Sequence, residues 1–131
     1  MPQAKGKFDV TRTGEPPYEL PDGFAIGRNR FDKKFHGPLE ATSSMLMIAV
    51  GTETKGSAAY VAIEHITGTL EGRAGTFVVT HKATMNRGAP SMSITVVPDS
   101  GTGALTGLSG SIHIDIVDGA HFYTFDYELQ A

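Results

Sequence analysis

Two residues on neighbouring predicted strands, Glu64 and His81, are the best candidates for proton chemistry in this chain. A carboxylate beside an imidazole can move a proton on a bound molecule, because imidazole titrates near neutral pH. The same pair can equally be a buried carboxylate that its neighbours satisfy, stabilising the fold without catalysis. The sequence therefore leaves the catalytic residues unknown, and it does not decide whether the protein is an enzyme.

Three further side chains, Tyr60, His121 and Tyr123, are expected near the same pair. Inward polar groups converge where a ligand has to be oriented, and such groups have perturbed pKa values. We predict that Tyr60, Glu64, His81, His121 and Tyr123 form a ligand-binding set in or at the mouth of one cavity.

Metal and cofactor chemistry has little support in the sequence. The chain has five histidines and no cysteine, so thiolate zinc sites, iron–sulfur clusters and a cysteine nucleophile are excluded. His113 and Asp115 share one face of a strand, but no third ligand is identifiable and that face is expected outside. We predict no metal site and no cofactor.

The elements that carry these residues are predicted to be short β-strands. Apolar and polar residues alternate with period two, no helical period persists, and 16 Gly and 7 Pro supply frequent turns. The Pro-rich segment 13–23 is expected to be a surface loop. The predicted strands are Phe8–Arg12, Ala25–Phe35, Leu39–Val50, Ser57–Thr67, Thr76–Met85, Ser91–Val97, Ser111–Val117 and Ala120–Leu129.

Eight such strands in 131 residues predict one all-β domain spanning residues 1–131. A Gly-x-Leu pattern begins at Gly37, Gly68 and Gly103, where we expect corners that let a sheet curl and close. The favoured architecture is a small eight-stranded antiparallel β-barrel with meander connections, which is either filled by side chains or holds one small ligand.

The Asp118-Gly119 turn signal fixes the register of the last hairpin. It predicts that His113 and Asp115 face solvent. The same alternation turns His81 inward, along with Met92, Ile94 and Val96. The inward face of the last hairpin is predicted to carry Ile112, Ile114, Ile116, His121, Tyr123 and Phe125.

The hairpin Met45–Ile66 is apolar on both faces. If Glu64 points inward with Tyr60, then Val61 and Ile63 must point outward, and composition alone does not choose between the faces. Strands that are buried on both sides meet a second layer, which without a helix is most simply another subunit. We predict a homo-oligomer, with a dimer favoured.

Charge and composition argue against other partners. The net charge is −3, and the basic residues Arg28, Arg30, Lys33 and Lys34 are expected on a solvated strand, so no nucleic-acid partner is predicted. The longest apolar stretch is far shorter than the roughly 20 residues of a membrane span, and no secretory h-region precedes the first strand. We expect a cytoplasmic protein without a membrane partner.

The sequence also resembles a bacterial family of unknown function whose fold is similar to the allene oxide cyclase barrel. The resemblance implies a small, oligomeric antiparallel barrel and no established activity. Tyr60, Glu64, Arg73, His81 and His121 match its pattern. It runs from about Ala25 to Leu129 and rests on Gly56–Glu64, Gly68–Phe77, His81, Val96–Gly103 and the closing Gly119-x-His121-x-Tyr123-x-x-x-Tyr127.

Three functions are compatible with these features. The first is a binding module that holds a small, partly apolar molecule in the lumen. The second is a cofactor-free isomerase or cyclase in which Glu64 and His81 act as acid and base. The third is an oligomeric structural protein with a filled core, which lumen space distinguishes from the other two.

Overall fold

Among the residues that the structure describes, the regular elements are nine β-strands and one short 3-10 turn, Gly103–Leu105. The computed structural model describes residues 2–16, 18–19 and 24–129. No helix in that part of the chain has the length and apolar composition needed to span a membrane. The strands are β1 (Gln3–Gly14), β2 (Tyr18–Glu19), β3 (Ala25–Phe35), β4 (Leu39–Gly51), β5 (Ala58–Leu70), β6 (Arg73–Asn86), β7 (Ala89–Val96), β8 (Leu108–Val117) and β9 (Ala120–Leu129).

The strands form a closed barrel because β1 has two partners. Each strand from β3 to β9 pairs antiparallel with its neighbour in sequence, and β1 pairs with both β9 and β3. This closes eight strands, and the two-residue β2 is attached to β3. Both central residues of the turns Glu71-Gly72, Arg87-Gly88 and Asp118-Gly119 have positive φ, as type I′ hairpins require. The predicted all-β, eight-stranded meander barrel is confirmed.

The largest difference from the predicted strands is at β1. It spans 12 residues instead of Phe8–Arg12, because its first half pairs with β9 and its second half with β3. The predicted Pro-rich loop 13–23 therefore begins inside β1, and its residues 18–19 pair with β3. Pro17 and residues 20–23 of that loop lie outside the described residues.

Aromatic and leucine side chains fill one end of the barrel. Phe125 lies between Phe77 and Tyr127, with ring centroids 5.7 and 5.4 Å apart. The leucines of the three Gly-x-Leu copies are all buried at this end: Leu39, Leu70 and Leu105. The repeat thus supplies the apolar plug that closes one end of the lumen.

Gly68 marks a corner where β5 crosses close to β4. A Cβ at this position would lie 2.2 Å from the carbonyl oxygen of Glu40, a distance that real Cβ atoms do not adopt. Only glycine allows this approach. The three copies are not equivalent, since Gly37 lies in the β3–β4 turn with a φ of 103°.

The β8–β9 hairpin has the predicted register. Val117 pairs with Ala120 and Ile112 with Phe125, as the turn signal required. Phe125 and Tyr123 are buried, whereas His113 is exposed. Alternation and turn chemistry therefore fixed which face of this hairpin points into the barrel.

The tip of the same hairpin leaves the barrel wall. The described pairing of β8 with β7 is the single pair Thr95↔Ser111, and the pairing of β9 with β1 ends at His121. Ile116 and Met92 lie on the predicted inward side of their strands, opposite His121 and Ala83. They are nevertheless 65% and 51% exposed, so the inward alternation does not bury them in the interior.

Candidate functional site

Glu64 lies inside the barrel, on the middle of β5. Its side chain is 1% exposed and shares the inward face of the strand with Ala62 and Ile66. Val61 and Ile63 point outward, 55% and 60% exposed, which settles the alternation that composition left open. The sheet thus places a carboxylate where an uncompensated charge would be very unfavourable.

Three side chains, one each from β3, β4 and β6, form hydrogen bonds with this carboxylate. His81 Nε2 on β6 lies 2.7 Å from Oε1, and Lys33 Nζ on β3 lies 3.2 Å from the same oxygen. Ser43 Oγ on β4 donates to Oε2 at 2.6 Å. All four residues are buried, and we call Lys33, Ser43, Glu64 and His81 the polar floor.

The strand register explains how the polar floor assembles. Lys33 and Ser43 are direct cross-strand partners. Ser43 lies opposite Ile66, two residues along β5 from Glu64 on one side, and His81 lies opposite Ala62, two residues away on the other. Residues two apart on a strand share a face, so all four side chains meet diagonally on the inner wall.

The polar floor holds Glu64 as a carboxylate. Burial alone raises the pKa of Glu64, but the hydrogen bond from His81, the charge of Lys33 and the hydrogen bond from Ser43 outweigh it, so its pKa lies below the ordinary 4.5. An ionised carboxylate only accepts hydrogen bonds, and His81 must therefore carry a hydrogen on Nε2. Nδ1 is then the ring nitrogen of His81 that does not bond to Glu64.

The second ring nitrogen of His81 is the one available to a bound molecule. His81 is 3% exposed, and its hydrogen bond within the described residues runs through Nε2 to Glu64. Nδ1 takes no part in that bond.

Tyr60 lies on the inner face of β5, nearer to the rim of the barrel than the polar floor. It is four residues from Glu64, about 13 Å along the strand. Burial, and then the negative charge of Glu64, raise the pKa of Tyr60, so the phenol keeps its proton at neutral pH and can donate it in a hydrogen bond.

His121 is connected to the polar floor through an aromatic ring. The Lys33 ammonium lies 5.2 Å from the centre of the Phe8 ring, and the Phe8 ring also packs against the His121 ring, at 5.2 Å between centroids. His121 is half-buried. It lines the same lumen as Glu64 without a hydrogen bond to the floor among the described residues.

Tyr123 belongs to the packed half of the barrel. Its hydroxyl donates to the His36 carbonyl oxygen at 2.8 Å and accepts from the Leu39 amide at 3.1 Å, and its ring packs edge-on against Phe35. These bonds fasten the β3–β4 turn to β9. Of the five predicted residues, the structure brings Glu64 and His81 into contact, places Tyr60 and His121 around them, and directs the Tyr123 hydroxyl elsewhere.

Lys33 and Ser43 are the floor residues that sequence reasoning missed. The prediction that Lys33 lies on a solvated strand face is wrong, since it is 8% exposed. The alternation of β3 carried the signal, because Lys33 falls on the same face as Phe31 and Phe35 while Asp32 and Lys34 fall on the other. A cation between two inward aromatics requires a buried anion, and Glu64 is that anion.

On the side of the polar floor away from the apolar plug, the inward-facing side chains become less buried toward the rim of the barrel. The wall of this half includes the small side chains Ala62 and Ala83. Four of the five methionines of the chain lie on the inward side of this half. Met45 is buried, Met47 is half-buried, and Met85 and Met92 are exposed. We call this half, from the polar floor to the β4–β5, β6–β7 and β8–β9 connections, the cup.

Comparison with known proteins assigns a family. The model of DUF3224, a family of proteins of unknown function, matches residues 4–127. The chain belongs to this family. A solved DUF3224 structure, of a protein of unknown function from Shewanella oneidensis MR-1, is 44% identical to the chain, with a TM-score of 0.94 over 100% of this chain and 99% of that one. No curated protein matches the chain.

DUF3224 membership confirms the resemblance to a bacterial family of unknown function that the sequence motifs indicated. The matched residues include the whole polar floor. The likeness to allene oxide cyclase stays a prediction. Because neither the family nor this relative has an assigned activity, function has to be argued from the geometry of the cup.

Proposed function

We propose that this DUF3224 protein binds a small, partly apolar molecule in the cup, with the polar end of the ligand on the floor. The observation that carries the proposal is a buried, charged hydrogen-bonded group beneath inward-facing, mostly apolar side chains whose exposure increases toward the rim. Ligand sites in small barrels have this composition, with apolar walls and a few convergent polar groups.

The walls of the cup favour an apolar ligand of variable shape. Methionine side chains are unbranched and polarizable, and they adapt to ligands that branched side chains would exclude. The small residues Ala62 and Ala83 lie directly opposite Met47 and Met92 on the neighbouring strands. The tip of the β8–β9 hairpin pairs with β7 only through Thr95 and Ser111 among the described residues, and a ligand would enter the cup at this side.

The floor favours a ligand whose head is a hydroxyl or a carbonyl. The protonated Tyr60 phenol can donate a hydrogen bond, and His81 Nδ1 is the ring nitrogen not used in the bond to Glu64. Lys33 neutralises Glu64, so the floor carries little excess charge to repel or capture a strongly charged head. A mostly apolar molecule whose oxygen atoms reach His81 and Tyr60 satisfies both groups.

Proton transfer is a second candidate, favoured by the 2.7 Å contact between His81 Nε2 and Glu64. In this function His81 Nδ1 is the base, and Glu64 fixes the tautomer and stabilises the imidazolium that forms, as the carboxylate does in hydrolase triads. The lowered pKa of Glu64 makes it the positioning group instead of the proton carrier that sequence reasoning suggested.

The binding proposal is tested by native mass spectrometry of freshly purified protein, in which a co-purifying small molecule is expected. The fluorescent apolar anion anilinonaphthalene sulfonate then serves as a probe of the cup. Tyr60→Phe removes one hydrogen bond and is expected to weaken binding of a co-purified molecule by about two- to tenfold.

Two control variants separate the cup from other sites. His113→Ala removes an imidazole from the outer wall and is expected to leave binding unchanged, whereas His81→Ala is expected to abolish it. Ile63→Lys tests whether the probe binds the outer apolar face instead. Absence of any co-purifying molecule, together with probe binding that is equal in His81→Ala and wild type, contradicts the proposal.

A further inference from the structure

The outer face of β4 and β5 carries a rectangle of four exposed aliphatic side chains. Leu46 pairs with Ile63 and Ile48 pairs with Val61 across the two strands. Their exposed fractions are 59%, 60%, 51% and 55%, respectively. We call these four residues the aliphatic rectangle. Single exposed aliphatics are ordinary, but a contiguous group of four on a rigid sheet marks an interaction surface.

The rectangle is the centre of a wider shallow depression of about 870 Å³. Ser44 continues it along β4, Thr80 lies beside Ile63 on β6, and Arg28 and Lys82 border it on β3 and β6. Arg28 is already paired with Glu15 at 2.9 Å. An apolar centre with a polar margin is the usual composition of a protein–protein interface.

We infer that this face binds a second copy of the same chain. A two-fold interface brings one patch onto itself, so the patch has to be self-complementary. The aliphatic rectangle meets this condition, because four side chains of one chemical kind need no opposite charge from the partner. Because Arg28 forms an ion pair with Glu15, the edges of the patch on two facing copies repel each other less.

The size of the face also fits a second copy. Four strands at about 4.8 Å and seven residues at about 3.3 Å cover about 19 by 23 Å, or roughly 440 Å² in projection. A standard interface buries about 800 Å² of accessible surface on each partner. The accessible surface of protruding side chains is larger than the flat area that they cover. The accessible surface of the face from β3 to β6 is therefore of the order that a stable dimer buries on each partner.

This inference is independent of the proposed ligand site. β5 carries the rectangle residues Val61 and Ile63 on its outer face, and Ala62 and Glu64 on its inner face. The dimer would therefore cover the back of the wall that holds the floor and leave the mouth of the cup open. Either conclusion can fail without the other.

Sedimentation velocity tests the inference over a range of micromolar concentrations. Wild type is expected at twice the 13.9 kDa chain mass. Ile63→Lys places two unpaired ammonium groups at the centre of the interface and is expected to weaken dimerisation by at least about a hundredfold. Val117→Lys changes an equally exposed aliphatic on the β8–β9 tip, away from the face, and is expected to remain dimeric. Circular dichroism verifies that each variant is folded.

Cross-linking gives a second measurement that does not depend on destabilising the interface. The natural chain has no cysteine, so Ile63→Cys supplies one thiol per copy. Mild oxidation is expected to join two Ile63→Cys chains and to leave Val117→Cys chains separate. A monomeric wild type at tens of micromolar, a dimer that Ile63→Lys leaves intact, or equal cross-linking of both cysteine variants overturns the inference.

Discussion

Glu64→Gln is the substitution that most directly tests the electrostatics of the polar floor. It keeps the size of the side chain and one acceptor oxygen but removes the charge. The carboxylate accepts hydrogen bonds from His81, Lys33 and Ser43, and it is the only anion that the described residues place against the buried Lys33. The substitution therefore leaves an ammonium group in the barrel without a counter-charge.

The expected cost follows from these contacts. Removing one partner of a buried ion pair destabilises a protein by about 3–5 kcal/mol. The remaining amide oxygen of Gln still accepts one hydrogen bond, so we expect the lower end, about 3 kcal/mol. Domains have total stabilities of about 5–15 kcal/mol, so the variant should still fold. For a 131-residue chain this loss lowers the melting temperature by about 12 °C.

Urea unfolding followed by circular dichroism measures the free energy of unfolding, since the chain has no tryptophan to report by fluorescence. Glu53→Gln makes the same chemical change on an exposed loop and should alter stability by less than about 0.5 kcal/mol. A loss below about 1 kcal/mol for Glu64→Gln refutes the reasoning, because the carboxylate would then not be the ionised centre of the floor.

Three further outcomes are expected. Because the folded-state pKa of Glu64 lies below 4.5, its contribution to stability is complete above pH 4.5 and is lost as pH falls through the folded pKa; acid titration of Glu64→Gln should lack this part of the decline. Gly68→Ala puts a Cβ 2.2 Å from a carbonyl oxygen and should cost several kcal/mol in urea unfolding, whereas Gly51→Ala meets nothing within 4 Å and should be nearly neutral. Tyr123→Phe leaves the buried Leu39 amide without its partner and should cost about 1–3 kcal/mol in thermal unfolding, with ligand binding unchanged.

The fold could be predicted from sequence because its determinants are local. Alternation located the strands, and the Asp118-Gly119 turn fixed the register of β8 and β9. The two ends of Ala25–Phe35 and of Ala120–Leu129 were predicted without error. Each of these signals depends on residues a few positions apart, where steric rules of the backbone decide the outcome.

The predictions that failed all depend on which strands are neighbours in the barrel. Ile116 has inward alternation, but its burial requires β7 and β1 to continue alongside the hairpin tip, and they do not. Lys33 reads as a surface cation until β3 is placed two strands from Glu64. Alternation predicts the side of the sheet on which a side chain lies, whereas the burial of that side chain also depends on the strands beside it.

The ionisable groups of the polar floor are difficult to explain by stability alone. Replacing a buried ion network by apolar residues of similar volume is often neutral or stabilising by about 1–4 kcal/mol. The barrel around Glu64 is already apolar, so a Lys33→Met, Glu64→Leu, His81→Leu triple variant should fold with undiminished stability in urea.

The same triple variant should lose any co-purifying molecule, because no polar group would remain to orient its head. Stability and binding are therefore expected to separate in one protein. A triple variant that is several kcal/mol less stable than wild type would instead make the floor a structural device, and the binding proposal would lose the observation on which it rests. A stable variant that has lost its ligand would mean that the protein retains Lys33, Glu64 and His81 for what the cup holds.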